Sequence, residues 1–274
     1  MFLTRHEAPD GGARWALDNR LLPPQLGLHL LLQVPRDGLG DFLRALPLGG
    51  APDGKLLAPI EAVQEVWAAG VTYLRSREAR EAESSVKDVY ARVYDAQRPE
   101  LFWKAVGWRV AGHEQPIRIR ADSRWNVPEP ELTLVVNSAR EIVGFCAGND
   151  VSSRDIEGEN PLYLPQAKVY NGSCALGPGI LIGETERLKD LTIQLTIKRG
   201  GRAAFQGEIR TAQIKRSFED LVEHLGRELD FPRGVFLLTG TGIVPPSDFS
   251  LAPGDLVTIS IGRLTLENRV AGAT

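Results

Sequence analysis

Two strand-forming runs joined by three residues constrain this chain more than any other feature. The runs are "ELTLVVN" at 131–137 and "EIVGFCAGND" at 141–150, and Ser138, Ala139 and Arg140 join them. So short a connection between two apolar runs reads as a β-hairpin. With the turn centred near Ala139, antiparallel pairing sets position 150 opposite position 128 or 129. Register matters here, because a slip of one residue turns every side chain to the other face. A bulge would adjust it locally.

The approach to the first strand is "WNVPEPEL", in which Glu129 and Glu131 flank Pro130. Residues two apart in a strand point to the same face, so the two carboxylates project together. Pro130 lacks an N–H and suits a strand's first residues or an unpaired edge. The hairpin brings Asp150 to the same end. Three carboxylates packed together repel, and each resists ionising. A cation removes the conflict. Oxygen donors without His or Cys favour Mg²⁺, Mn²⁺ or Ca²⁺ over zinc. Three protein ligands leave positions for water, which substrate oxygens can displace. Taken alone, the Glu-x-Glu pattern is a pair of surface acids at a strand end.

The rest of the chain sets the class. Of 274 residues, 43% are hydrophobic and 24% charged, enough to bury a sizeable core. The net charge of −3 implies no basic field for nucleic acid. No apolar run is long enough to span a membrane, and "MFLTRHEAPDGG" carries no signal-peptide pattern. Cys146 and Cys174 make no disulfide framework and read as reduced, partly buried thiols of a cytoplasmic protein. Residues 1–58 are rich in Gly, Pro and Leu and predict a small, mostly β N-terminal domain with one short helix near 40–45. "GGAPDG" at 49–54 is a linker candidate. Residues 60–95 have a helical composition in two pieces. "YLRSREAREAESS" at 73–85 is too polar for core and reads as a solvated helix or mobile segment, or as a lid. From about 117 onward, short alternating or apolar runs such as "IRIRADSRW", "LTIQLTIKRGG" and "DLVTISIGRLTLENRV" predict strands. "SFEDLVEHLGREL" at 217–229 predicts a helix with a Ser cap and an apolar stripe at Phe218, Leu221, Val222 and Leu225. The class is therefore α+β, mainly β, a β-roll or β-sandwich.

Several ordered motifs then carry a resemblance. "VPEPEL", "GNDVSSRDIEGENPLYLPQAKVYNGSCALGPGI", "LLTGTGIVPP" and "LAPGDLVTISIGRLTLENRV" resemble the fumarylacetoacetate hydrolase superfamily over roughly residues 60–271. The resemblance implies a mixed β-roll catalytic domain at 59–274, a Mg²⁺ or Mn²⁺ ion, 2-oxo acid or diketo acid substrates, and a homodimer. It implies Glu129, Glu131 and Asp150 as metal ligands and Lys168 as the active-site lysine. It also implies Thr241, in the Thr-Gly-Thr loop, and Arg154 as substrate-facing residues. A 2-oxo acid can chelate the ion through its keto oxygen and a carboxylate oxygen, and the ion then stabilises an enolate. Beside a cation, the protonated form of Lys168 is disfavoured, which makes it a proton carrier near neutral pH. Arg154 suits a carboxylate by two hydrogen bonds; its plainer reading is an ion pair with Asp155 or Glu157.

The departures narrow the chemistry. Hydrolases of this superfamily activate water with a His–Glu pair, and the matching segment here, 70–84, holds no histidine. His113 and His224 read as structural or solvated. The superfamily's glutamine seven residues past the third ligand is Glu157 here, a candidate substrate-binding residue. "NDVSSRDIEGENPLYLPQAKVY" most resembles the 2-keto-3-deoxy-D-arabinonate dehydratase branch, in which an acid/base glutamate would fall on Glu100. Glu100 also reads as an ordinary residue at a helix N-terminus, and Phe102 and Lys104 can line the pocket. The expected activity is that of a metal-dependent hydro-lyase removing water from a 2-keto-3-deoxy sugar acid. Lys168 or Glu100 would take a C3 proton while the other protonates the departing C4 hydroxyl. The alternatives are hydrolysis of fumarylacetoacetate or an acylpyruvate, decarboxylation, or isomerisation on the same metal site.

Overall fold

The computed structural model describes residues 1–83 and 87–271. In chain order the principal strands are β1 (Phe2–Glu7), β2 (Ala13–Leu17), β3 (Glu65–Gly70), β4 (Glu100–Val106), β5 (Pro130–Val136) and β6 (Ile142–Asp150). They continue with β7 (Cys174–Ile182), β8 (Thr192–Arg199), β9 (Arg202–Arg210), β10 (Val235–Leu238), β11 (Leu256–Ile261) and β12 (Leu264–Ala271). The helices that bear on the site are α1 (Leu74–Glu83), α2 (Arg154–Glu159) and α3 (Leu164–Lys168). Among the described residues no helix is long and apolar enough to cross a membrane.

One large sheet runs in the order β2-β1-β7-β6-β5-β10-β3-β4. A second sheet orders β9-β8-β11-β12, with the short strand Ile117–Arg118 at its edge. The β5–β6 hairpin lies inside the large sheet, with β10 and β7 as its outer neighbours. Every residue of both hairpin strands is buried, as near-continuous apolar runs require. Period two then divides β5. Leu132, Leu134 and Val136 face a core shared with Ile193, Leu195, Ile197, Val257, Ile259 and Leu266 of the second sheet. Val135 faces the opposite core, with Leu3, Trp15, Leu28, Leu39 and Leu43 of the N-terminal region.

Residues 1–58 are thus tied to the same sheet. Phe2 pairs with Leu181 and Leu3 with Ile180, and the boundary expected near residue 58 falls between segments that share one core. The short helix expected near 40–45 extends over Arg36–Ala45, and the helix expected at 217–229 spans Phe218–Leu225 with Ser217 accepting from the Asp220 N–H.

Three local expectations are corrected. Residues 65–70 form β3 rather than helix, because Val66 and Ala68 fill the sheet's core while β3 pairs parallel with β10. Glu100 opens strand β4, not a helix, since β4 completes the sheet beside β3. Of "IRIRADSRW" only Ile117–Arg118 is strand. The polar segment expected at 73–85 is helical as α1 up to Glu83; Ser84 and Ser85 lie outside the described residues, as do 272–274 of the expected catalytic domain.

Candidate active site

The hairpin sets the site's floor. Asn137 shapes its turn: its side-chain oxygen accepts from the Ala139 and Glu141 N–H groups, and Arg140 takes a left-handed φ of 63°. Pairing then runs Leu134 with Phe145 and Pro130 with Asn149. A bulge at Val135/Val136 absorbs one residue. The Asp150 N–H donates to the Glu129 carbonyl at 3.0 Å, the alignment that a turn near Ala139 predicts. Glu131 lies opposite Gly148. A Cβ at Gly148 would collide with Thr133 Oγ1, so only glycine lets the strands close here.

Glu129, Glu131 and Asp150 converge, with one oxygen from each within 4.8 Å of the others, and all three are buried. Lys168, at the end of α3, donates from Nζ to Glu129 Oε2 (2.7 Å), Asp150 Oδ2 (3.0 Å) and Ser152 Oγ (2.6 Å). Lys104, from β4, forms an ion pair with Asp150 and donates to the Val151 and Lys168 carbonyls. Arg154 donates to Glu129 Oε1 at 3.0 Å. Of the two partners expected for it, Asp155 accepts from Ser123 and Arg124, and Glu157 pairs with Arg80 at 2.9 Å.

Arg80 is the residue that sequence reasoning passed over. It sits on α1, inside the segment read as solvated or as a lid, yet it is 6% exposed. Its guanidinium bridges Glu129 Oε1 (2.6 Å) and Glu157 Oε1 (2.9 Å). Ser76, one turn earlier, and Ala79 beside it are buried with it. The helical spacing of Ser76, Ala79 and Arg80 could have marked this face, but small and charged residues carry no apolar stripe.

The Thr-Gly-Thr loop supports Glu131. The Gly240 N–H donates to Glu131 Oε2 at 2.6 Å. Gly240 has φ +88°, and a Cβ there would collide with Thr72 Oγ1, which restricts the position to glycine. Thr241 lines the cavity, while its hydroxyl accepts from the Ile243 N–H at 3.2 Å.

Ala69, Gly70, Ser76, Phe102 and Leu164 help to enclose a cavity above these carboxylates. Glu100 reaches into it over Gly70, where its carboxyl occupies the space a Cβ would need. No histidine is among the described residues lining it. His113 accepts from the Glu267 N–H, His224 bonds within its own helix, and His29 pairs with Glu61. Cys146 and Cys174 are free and buried in the sheet.

The electrostatics follow from burial and neighbours. Burial would raise Glu129, but Lys168 and Arg80 outweigh it and hold the carboxyl down to about 2. Glu131 lies well above its ordinary range, through burial and then the charges of Asp150 and Glu129. Glu100 is pushed up to about 7 by burial and by the neighbouring Glu157. Burial would lower the Lys168 ammonium, yet Asp150, Glu129 and Glu157 together hold it above its usual value. The depressed lysine expected from the sequence presupposed a divalent cation beside it; the carboxylates alone pull the other way. The fit to such a cation is good on chemical grounds. The cluster offers only oxygen donors, and Glu131 is held against ionisation by burial and by a repulsion from Asp150 and Glu129 that a cation would remove.

Known proteins resemble this chain over most of its length. A protein of Haloferax volcanii named "Probable 2-keto-3-deoxyxylonate dehydratase" is 47% identical over 220 residues, covering 80% of this chain and 75% of that protein. The "2-dehydro-3-deoxy-D-arabinonate dehydratase" of Saccharolobus solfataricus is 43% identical over 218 residues, covering 77% of this chain and 72% of its own. A solved 2-keto-3-deoxy-D-arabinonate dehydratase, complexed with magnesium and 2,5-dioxopentanoate, superposes with a TM-score of 0.85 at 34% identity over the full length of both chains. Residues 65–271 match the family described as "Fumarylacetoacetate (FAA) hydrolase C-terminal". With its β-roll, its hairpin of three carboxylates and its buried lysine, this chain belongs to the fumarylacetoacetate hydrolase family.

Proposed function

We propose that this chain is a Mg²⁺-dependent hydro-lyase that removes water from a 2-keto-3-deoxy sugar acid. The observation that carries the reading is the meeting of Glu129, Glu131 and Asp150 with Lys168 and Glu100 in one buried cavity that no histidine lines among the described residues. The relatives that bear dehydratase names support the same class.

Glu129, Glu131 and Asp150 would hold the ion, and Mn²⁺ has the same donor preference. When bound, the ion supplies a Lewis acid that polarises a 2-keto group and offsets negative charge developing there. The chain's own residues do the rest. Glu100, poised at about 7, is the base that takes a C3 proton. Lys168, whose Nζ donates to Glu129, Asp150 and Ser152, is the acid for the C4 hydroxyl. The electron pair of the C3–H bond becomes the C3=C4 double bond as the C4–O bond breaks, and the hydroxyl leaves as water with the proton from Lys168. Thr241 lines the cavity and is the substrate-facing residue of its loop, whereas Arg154 lies outside the lining and acts through Glu129, and Gly240 fixes the orientation of Glu131 through its N–H. All these groups lie between residues 80 and 241, so residues 59–274 form the catalytic unit and residues 1–58 an N-terminal support. A cytoplasmic homodimer is part of the same proposal, supported by the free, buried thiols of Cys146 and Cys174 and by the family resemblance.

The test is turnover. Protein with Mg²⁺ is incubated with 2-keto-3-deoxypentonate, acylpyruvates and oxaloacetate, and products are read by mass spectrometry. Loss of one water from the sugar acid is expected; cleavage of acylpyruvate with no action on the sugar acid would overturn the reading.

A further inference from the structure

Glu157 is 5% exposed and lines the same cavity as the three carboxylates. Arg80 fixes it from one side, with its Nε on Glu157 Oε1 at 2.9 Å while the same guanidinium holds Glu129 Oε1 at 2.6 Å. The other oxygen, Glu157 Oε2, is buried and has no hydrogen-bond partner among the described residues. A buried carboxylate oxygen without a donor is costly, and a ligand that brings an O–H relieves it.

Charge points the same way. Five carboxyl groups, those of Glu100, Glu129, Glu131, Asp150 and Glu157, line the cavity. Arg80, Lys104, Arg154 and Lys168 form ion pairs with Glu129, Asp150 and Glu157 of this set. A substrate tail that ends in a carboxylate would set a like charge against the buried Glu157 carboxylate.

We infer that Glu157, clamped by Arg80, determines specificity: Oε2 accepts a hydrogen bond from a hydroxyl on the tail of a 2-oxo acid, and the residue rejects tails that end in a second carboxylate. The inference rests on the 2-oxo acid reading of the site and separates polyol acids from diketo diacids within it. Glu157 acts on the substrate, and Arg80 is its positioning residue.

Binding to the Mg²⁺-loaded protein, measured by calorimetry, tests it with three ligands that differ only in the tail: 5-hydroxy-2-oxopentanoate, 2-oxopentanoate and 2-oxoglutarate. The wild type is expected to bind the hydroxylated acid about tenfold tighter than 2-oxopentanoate, as one charge-assisted hydrogen bond implies. It is expected to bind 2-oxoglutarate at least about tenfold more weakly than 2-oxopentanoate. In Glu157→Gln, whose amide can donate, the penalty on 2-oxoglutarate disappears. In Glu157→Asp, which keeps the charge but shortens the reach, the penalty stays and the hydroxyl preference falls. Equal affinities for the three ligands in the wild type, a comparison that needs no variant, would overturn the inference. So would an unchanged order in folded Glu157→Gln. Both results leave the 2-oxo acid reading standing, whereas no binding of any of the three to the wild type removes that reading and the inference together.

Discussion

Glu100 shows how one side chain's surroundings decide its chemistry. A carboxyl in water is ionised well below neutrality. Here burial and the adjacent Glu157 push it up to about 7. As the proposed base, it would work only when deprotonated, so its acid limb would sit at its own pKa. The rate constant kcat/KM is expected to rise with pH up to about 7 and then level. Glu100→Gln should lower kcat/KM by about 10²–10⁴-fold and abolish that limb. A variant that keeps the limb near 7 would assign it to another group. Glu131 is a different case, because burial and then the charges of Asp150 and Glu129 displace it. Its folded-state value is raised, so its ionisation costs stability as pH climbs above the unfolded value, and the cost is absent at lower pH.

At the scale of elements, the site is a meeting of a rigid hairpin with a docked helix. The β5–β6 hairpin is held on both sides by neighbouring strands. Helix α1 reaches the site through Arg80, whose two carboxylate partners come from different elements, Glu129 ahead of β5 and Glu157 on α2. Breaking a buried ion pair from one side leaves the other charge uncompensated. Arg80→Ala is therefore expected to loosen α1 without unfolding the sheet. Amide exchange over 74–83 should quicken by about tenfold or more while exchange over 130–150 stays unchanged, as local opening requires. Equal protection of 74–83 in the variant and the wild type would show that Arg80 does not dock the helix.

For the whole molecule, the ion and the fold are thermodynamically linked. A ligand that binds only the native state stabilises it by about 2.7 kcal/mol at a hundred times its Kd. For a chain of this size that corresponds to a rise in Tm of roughly 5 °C. Mg²⁺ is expected to raise the Tm of the wild type by that amount and to leave Glu131→Gln unmoved. Without metal, Glu131→Gln should melt no lower than the wild type at neutral pH, because it removes a buried acid that its neighbours repel. An undiminished Mg²⁺ shift in the variant would take Glu131 out of the ligand set. The same division between local and global explains what could be read in advance. The hairpin, its register to within one residue and the convergence of Glu129, Glu131 and Asp150 were legible because strand parity and turn length are local rules. The β-rich class was legible for the same reason. Residues 65–70 looked helical and became strand because the neighbour that claims them, β10, lies far along the chain, where no local pattern can announce it. Arg80 looked solvated for a similar reason: a charged side chain on a polar helix declares nothing about burial until its partners, Glu129 and Glu157, are placed. By itself the sequence determined which atoms could grip a cation and on which face they stand; only the tertiary structure decided which charges would surround them, because burial and long-range pairing, not residue type, set the energy of a charge in a protein interior.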